Sequence, residues 1–177
     1  MADGKVTPPR VIGLILAGGE GRRMGYQNKG LVTLQDRPLV AHVIARIAPQ
    51  VDQLYISVNQ DLECYQPFNL PLIEDEETLV GQGPLAGIAT LLPMLEPDDV
   101  LQVVSCDGPY IPQDLVARLS AAREMDTVVY PRTDERAHYL YLQGRVGKLR
   151  EITSFLATGD LRIRALLTHL GARAILF

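Results

Sequence analysis

The sequence predicts a three-layer α/β fold, a mostly parallel β-sheet with helices on both faces, and three observations predict it. Apolar runs of strand length alternate with stretches of helical apolar spacing along most of the 177 residues. Two of those runs, Val11–Leu16 and Val100–Val104, are almost uninterrupted, as strands buried on both faces require. Glycine- or proline-bearing loops follow the strands, where an open α/β sheet places its ligands.

Taken in order, Val11–Leu16 reads as the first strand, ahead of a loop holding Gly18, Gly19, Gly21 and Gly25. Pro38–Ala48 has helical apolar spacing, starts on a tolerated proline and stops before Pro49. Leu54–Val58 and Leu72–Ile73 read as strands, Pro84–Leu92 as a helix, Val100–Val104 as a central strand and Pro112–Arg123 as a helix. Beyond Asp126, Thr127–Tyr130 and Tyr139–Leu142 read as strands, Leu149–Ala157 and Leu161–Leu170 as helices, and Ala174–Phe177 as a final strand. Neither a repeat nor a linker interrupts the pattern, so residues 11–177 read as one domain and residues 1–10 as a loose polar tail without a signal-peptide core.

Composition narrows the function classes. Net charge is −4, and the cations of the first loop are local rather than spread over a face, which favours a small anionic ligand over nucleic acid. No segment has the apolar length to span a bilayer, and a cytoplasmic protein is expected. Cys64 and Cys106, with the dispersed His42, His138 and His169, form neither a disulfide scaffold nor a zinc pattern.

The first loop, Ala17-Gly-Gly-Glu-Gly-Arg-Arg-Met-Gly25 with Lys29 beyond it, suits polyphosphate: glycines let backbone N–H groups approach while cations balance charge. A dinucleotide fingerprint fails because Met24 stands where the third glycine belongs, and a Walker A loop fails because Asn28 precedes Lys29 and Gly30 follows it. A plain strand-to-helix turn needs neither Arg23 nor Lys29. Asp107, in Ser105-Cys-Asp-Gly-Pro-Tyr-Ile-Pro112, falls just past a strand end, where a carboxylate holds Mg²⁺ or organises a turn. Gly81-Gln-Gly-Pro-Leu-Ala-Gly87 is a second glycine-rich helix entry, and Ile73-Glu-Asp-Glu-Glu77 an acidic run that ordinarily forms a solvated loop.

LAGG, RMG, Lys29, GPLAG and CDGPYIP, in that order over residues 11–119, resemble the MobA-type molybdenum cofactor guanylyltransferases within the Rossmann-like nucleotidyltransferases. The resemblance implies GMP transfer from GTP to the terminal phosphate of molybdopterin, with pyrophosphate release, Mg²⁺ as cofactor and other molybdenum cofactor assembly proteins as partners. It implies catalytic roles for Arg23, Lys29 and Asp107, with Asp107 the metal ligand. Nucleotide contacts are expected from Leu16, Ala17, Gly18, Gly19, Lys29, Asn59, Asp75, Gly83 and Asp107. Gly18 with GPLAG points to guanine, since cytidylyltransferases of the same pathway typically carry LAAG and lack GPLAG. Residues 11–119 are then the GTP-binding half and 120–177 the acceptor half, where Arg132, Arg136, His138 and Lys148 are candidates for an anionic acceptor.

The chain departs from the resembled family in three places. Asn28 replaces the usual aspartate before the lysine, Ser57-Val58-Asn59 keeps only the second of two asparagines, and an NxNTP segment expected beyond Phe177 is not in the sequence; no second metal carboxylate is named. The alternatives are nucleotidyl transfer to another phosphorylated acceptor, cytidylyl or sugar phosphate, and a catalytically impaired nucleotide-binding partner in cofactor assembly.

Overall fold

The computed structural model describes residues 8–18 and 28–177. A seven-stranded sheet runs through its centre. β1 (Val11–Leu16) and β6 (Val100–Ser105) lie side by side as parallel strands, each an apolar run buried over nearly its whole length. β4 (Gln53–Ser57) flanks β1 on the other side in parallel, and β5 (Leu72–Ile73) continues outward from β4. The chain thus builds outward from β1 and then returns across it to place β6, which makes the carboxyl ends of β1 and β6 the switch point of the sheet.

Helices cover both faces because strand side chains alternate. Ile12, Leu14 and Leu16 of β1, with Leu101 and Val103 of β6, pack against Leu85, Ile88 and Leu91 of α3 (Pro84–Leu91). Ile15, Ile56 and Val104 point the other way, into Val40, Val43 and Ile47 of α1 (Leu39–Ile47) and Leu115, Val116 and Leu119 of α4 (Leu115–Ala122). The three- and four-residue spacing of the α1 triad puts all three on one helix face.

Several expected elements differ. Pro38 closes β3 (Arg37–Pro38), which pairs with β2 (Thr33–Leu34) in a hairpin turned at Gln35 and Asp36, both with positive φ. α4 starts at Leu115, three residues after Pro112. α2 (Leu62–Tyr65) has no counterpart among the expected elements. The helix expected over Leu149–Ala157 is two short pieces, α5 (Val146–Leu149) and α6 (Ile152–Leu156), followed by α7 (Ile163–His169).

The largest correction concerns Tyr139–Leu142, which is not a strand: the strand is β8, Gln143–Arg145, antiparallel to both β6 and β7 (Val129–Arg132). Gln143 belongs inside because its polar groups are satisfied there. Its amide donates to Gln102 Oε1 at 3.1 Å and to the Val116 carbonyl at 3.2 Å, and its Oε1 accepts from Ser120 Oγ at 3.2 Å. β9 (Arg173–Leu176) closes the edge parallel to β7, completing the order β5-β4-β1-β6-β8-β7-β9. Residues 1–7 of the expected tail lie outside the described residues, whereas Arg10 is held by Asp99, its Nη2 2.6 Å from Oδ2.

Candidate active site

Strand register assembles the site. Leu16 pairs with Ser57 of β4 and with Ser105 of β6, so three strands end level and the residues that follow them face one crevice. A cavity of about 190 Å³ opens there, lined among others by Leu16, Ala17, Gly18, Lys29, Asn59, Asp75, Gly83 and Asp107. The structure therefore brings together every residue expected at the nucleotide except Gly19 and Arg23, which lie outside the described residues. Ser57, Pro84, Gly87, Ser105, Cys106 and Leu140 also line it without having been singled out. The two serines carry a sequence signal after all, as the last residues of strands flanking β1.

On the β6 side, Asp107 sits one residue beyond the buried Cys106 with its carboxylate half-exposed. Ser105 Oγ donates to Asp107 Oδ1 at 2.5 Å, and Lys29 Nζ lies 3.8 Å from Oδ2. An ion pair this exposed contributes little. Lys29 can leave it for a phosphate at small cost. Burial pushes the Cys106 thiol up to about 12, with the neighbouring Asp107 charge adding to the shift, so the thiol is no nucleophile.

At the opposite side, Asn59 and Asp75 clasp each other. Asn59 Nδ2 donates to Asp75 Oδ2 at 2.8 Å, and Asn59 Oδ1 accepts from the Asp75 backbone N–H at 2.8 Å. Burial raises the Asp75 carboxyl above the usual aspartate range, partly offset by the Asn59 amide. Gly18 matters to this clasp. A Cβ at Gly18 would stand 2.8 Å from Asn59 Nδ2, so the space beside this glycine is filled by the asparagine amide.

The GPLAG glycines have separate physical reasons. Gly83 precedes α3 with φ 67° and ψ −153°, a region that side chains bearing a Cβ avoid. Gly87 is buried against β1 and β4, where a Cβ would collide with Ser57 Oγ and lie 3.2 Å from Leu16 Cδ2. α3 therefore sits close on the strands that end in the crevice.

A second cavity of about 390 Å³ adjoins the first through Asp107, which lines both. Tyr110, Arg136, His138, Tyr141 and Phe177 are among its walls. Burial pushes the Tyr141 hydroxyl up to about 12, and burial with the nearby Arg136 charge lowers His138. Of the acceptor candidates, Arg136 and His138 line this cavity; Lys148 lies on α5 with its ammonium 2.8 Å from Glu151, and Arg132 ends β7. Among the described residues no helix is long and apolar enough to cross a membrane, and no group of three or more His, Cys, Asp or Glu is placed to hold a metal.

Comparison with known proteins agrees with this architecture. A family model described as a MobA-like NTP transferase domain matches residues 13–174. A molybdenum cofactor guanylyltransferase from Yersinia pestis (strain Pestoides F) is 34% identical over 170 residues, spanning 96% of this chain and 86% of that protein. Molybdopterin-guanine dinucleotide biosynthesis protein A from Archaeoglobus fulgidus superposes with a TM-score of 0.70 at 20% identity, over 94% of this chain and 82% of that one. The manganese complex of Rv0371c from Mycobacterium tuberculosis H37Rv does so with a TM-score of 0.65 at 13% identity, over 97% and 89%. The two structures speak for the fold. The family model spans the sheet from β1 to β9 with all the loops between, and the relative aligns over nearly the whole chain: this chain belongs to the MobA-like NTP transferase family.

Proposed function

We propose that this nucleotidyltransferase transfers GMP from GTP to the terminal phosphate of molybdopterin, releasing pyrophosphate and forming molybdopterin guanine dinucleotide. The observation that carries the reading is the pair of cavities meeting at Asp107. One holds the residues expected at GTP and the other is aromatic and basic, suited to a flat heterocycle bearing phosphate. The named relative supports the choice of substrates.

In this reading an acceptor phosphate oxygen attacks the α-phosphorus of GTP as the bond to pyrophosphate breaks, and the protein supplies position and charge. Asp75, held by Asn59, accepts hydrogen bonds from nucleoside donors. Lys29 swings from Asp107 to offset charge on the triphosphate, and Arg23 and the Gly18–Gly19 backbone act on the same phosphates. Tyr141, a partly buried phenol on the wall of the second cavity, donates a hydrogen bond on the acceptor side, with Arg136 as the cation there.

The donor set suits a divalent ion. Asp107 offers hard oxygens at an exposed strand end, and Mg²⁺ binds readily to one carboxylate completed by phosphate oxygens and water. Bound there, Mg²⁺ supplies Lewis-acid neutralisation of phosphate charge. Residues 11–119 then supply nearly all of the GTP cavity, and 120–177 supply the Arg136, His138 and Tyr141 wall of the acceptor cavity, which Tyr110 of the first half also lines, in a cytoplasmic enzyme that works beside other assembly proteins of the cofactor and engages neither nucleic acid nor membrane.

Calorimetry with GTP, CTP and ATP, with and without Mg²⁺, tests the nucleotide half in the wild-type chain and in Asp107→Ala. Magnesium-dependent preference for GTP, weakened in the variant, is expected. Pyrophosphate release from GTP and molybdopterin tests the rest. Preference for CTP would overturn the substrate, and nucleotide binding without turnover would favour the catalytically impaired partner.

A further inference from the structure

Lys29 stands in a short 3₁₀ turn, Lys29–Leu31, whose approach is fixed by a polar network outside the cavity. The side chain of the preceding Asn28 has two partners. Its Oδ1 accepts from the Tyr65 hydroxyl at 2.6 Å, and its Nδ2 donates to Asp61 Oδ2 at 3.3 Å. Tyr65, fully buried at the end of α2, is a rigid anchor. The packing around its hydroxyl is close: a Cβ on Gly30 would lie 2.5 Å from it and 3.5 Å from Cys106 Cβ, beside Asp107. Residues 28 and 30, on either side of Lys29, are therefore both seated on Tyr65.

Donor and acceptor chemistry makes Asn28 and Asp61 a matched pair. Asp61 is an acceptor only, so it turns the Asn28 amide nitrogen toward itself and the carbonyl oxygen toward Tyr65. An aspartate at position 28 would still accept from Tyr65, yet it would set a second carboxylate against Asp61 where a hydrogen bond now stands. Of the two contacts the Tyr65 bond is the shorter and the better buried, and the Asp61 contact sets the orientation. Asp61 holds this place with φ 56°, a left-handed conformation that aspartate tolerates better than most residues.

We propose that Asp61, Asn28 and Tyr65 form a positioning network that aims the Lys29 ammonium at the phosphate side of the cavity, with the negative charge of the pair carried at Asp61 rather than beside the lysine. The inference rests on the proposed phosphate role of Lys29. It predicts that the identities at 28 and 61 are exchangeable only together: Asn28→Asp with Asp61→Asn restores one donor facing one acceptor at unchanged net charge.

The test compares Asn28→Asp, Asp61→Asn, the double exchange and Tyr65→Phe in the full chain, by pyrophosphate release from GTP and molybdopterin with Mg²⁺. Asn28→Asp should lower kcat by about 10-fold or more with KM for GTP within about 3-fold, because a misaimed cation is felt most as charge develops on the leaving group. Tyr65→Phe should follow it in direction. The double exchange should return to within about 3-fold of wild type, a coupling that independent sites do not show. Wild-type kcat in Asn28→Asp, or a double exchange no better than that single variant, would overturn the network.

A second readout separates this from the fate of the functional reading. The chain has three lysines, Lys5, Lys29 and Lys148, so ¹³Cε-lysine labelling gives few resonances and Lys29→Arg assigns the one of interest. If the wild-type chain turns over no nucleotide, the functional reading falls, and the network still requires the Lys29 signal to shift in Asn28→Asp and return in the double exchange. A Lys29 signal indifferent to both would sink the network whatever the activity.

Discussion

Gly87→Ala sets two physical effects of opposite sign against each other. Alanine in place of a helical glycine gains about 1 kcal/mol of propensity, and on an exposed helix that would decide the outcome. Here the added Cβ collides with Ser57 Oγ, lies 3.0 Å from Ser57 Cβ and reaches 3.2 Å from Leu16 Cδ2. Ser57 is 3% exposed and Leu16 8%, so neither neighbour can swing into solvent. Overpacking of this kind costs about 1–3 kcal/mol, and the burial of both neighbours places the cost in the upper part of that range. The net loss should be about 1–2 kcal/mol, a fall in Tm of about 2–8 °C for a chain of this size. Scanning calorimetry measures it. Adding Ser57→Ala removes the worst contact and should recover at least half of the loss, because what remains is tight but displaceable. Since Leu16, Ser57, Gly83, Pro84 and Gly87 all line the first cavity, displacing α3 should also weaken GTP binding about 3-fold or more. A Gly87→Ala chain as stable as wild type or more so would refute the close-packing explanation and leave propensity as the governing effect.

Lys29→Ala should lower kcat by about 10²–10³-fold in the pyrophosphate assay while leaving Tm nearly unchanged, because its half-exposed ion pair with Asp107 contributes little to folding. Gly18→Ala should displace the Asn59 amide, which a Cβ would approach to 2.8 Å, and thereby loosen Asp75; calorimetry should show GTP affinity down about 10-fold with the fold intact. Asp75→Asn should cost GTP affinity about 10-fold or more yet raise stability at neutral pH, measured by urea unfolding across pH. The native carboxyl is raised, so Asp75 favours folding fully only below the ordinary aspartate range and that contribution is lost as pH rises through its folded value; the advantage of a neutral amide at this position should therefore vanish in acid. Arg136→Ala should raise KM for the acceptor about 10-fold and leave GTP binding alone, as checked by varying each substrate in turn.

β1 and β6 were legible because a strand buried on both faces needs an apolar side chain at nearly every position, a pattern that local context cannot disguise. Tyr139–Leu142 deceived for the same reason. Its apolar run carries Tyr141 to the second cavity, while the strand is made by Gln143, Gly144 and Arg145, which carry no strand signal until Gln102 and Val116 supply the hydrogen bonds. The β2–β3 turn escaped because Gln35-Asp36 occupies positions where Asn-Gly is the usual cue. At the candidate site, Asp107 could be picked out as a residue just past a strand end, Gly18 as part of a glycine-rich loop, and Asn59 and Asp75 through the family resemblance; register then puts all four in one cavity. Asp61 and Tyr65 could not. They meet Asn28 across more than thirty residues of sequence, and the four-residue helix that carries Tyr65 is too short to leave a periodic trace.

The placement of Asp107 on the border of two cavities constrains how the enzyme discriminates. In the proposed reaction both phosphates meet at this border, so a perturbation of Asp107 should fall on both substrates together. Away from that border the walls separate: Gly18, Asn59 and Asp75 face only the first cavity or support it, and Arg136, His138 and Tyr141 line only the second. On the proposed assignment of the two cavities, substitutions at these two sets should therefore affect nucleotide and acceptor additively, as expected of residues with no shared partner. Ser105 and Gly108 flank the border on either side, Ser105 by its bond to Asp107 and Gly108 by its close approach to the Tyr141 hydroxyl. Because Tyr141 packs against Gly108, the residue next to Asp107, changes at Tyr141 should alter kcat as well as acceptor KM, while changes at Arg136, on the exposed rim, should alter acceptor KM alone.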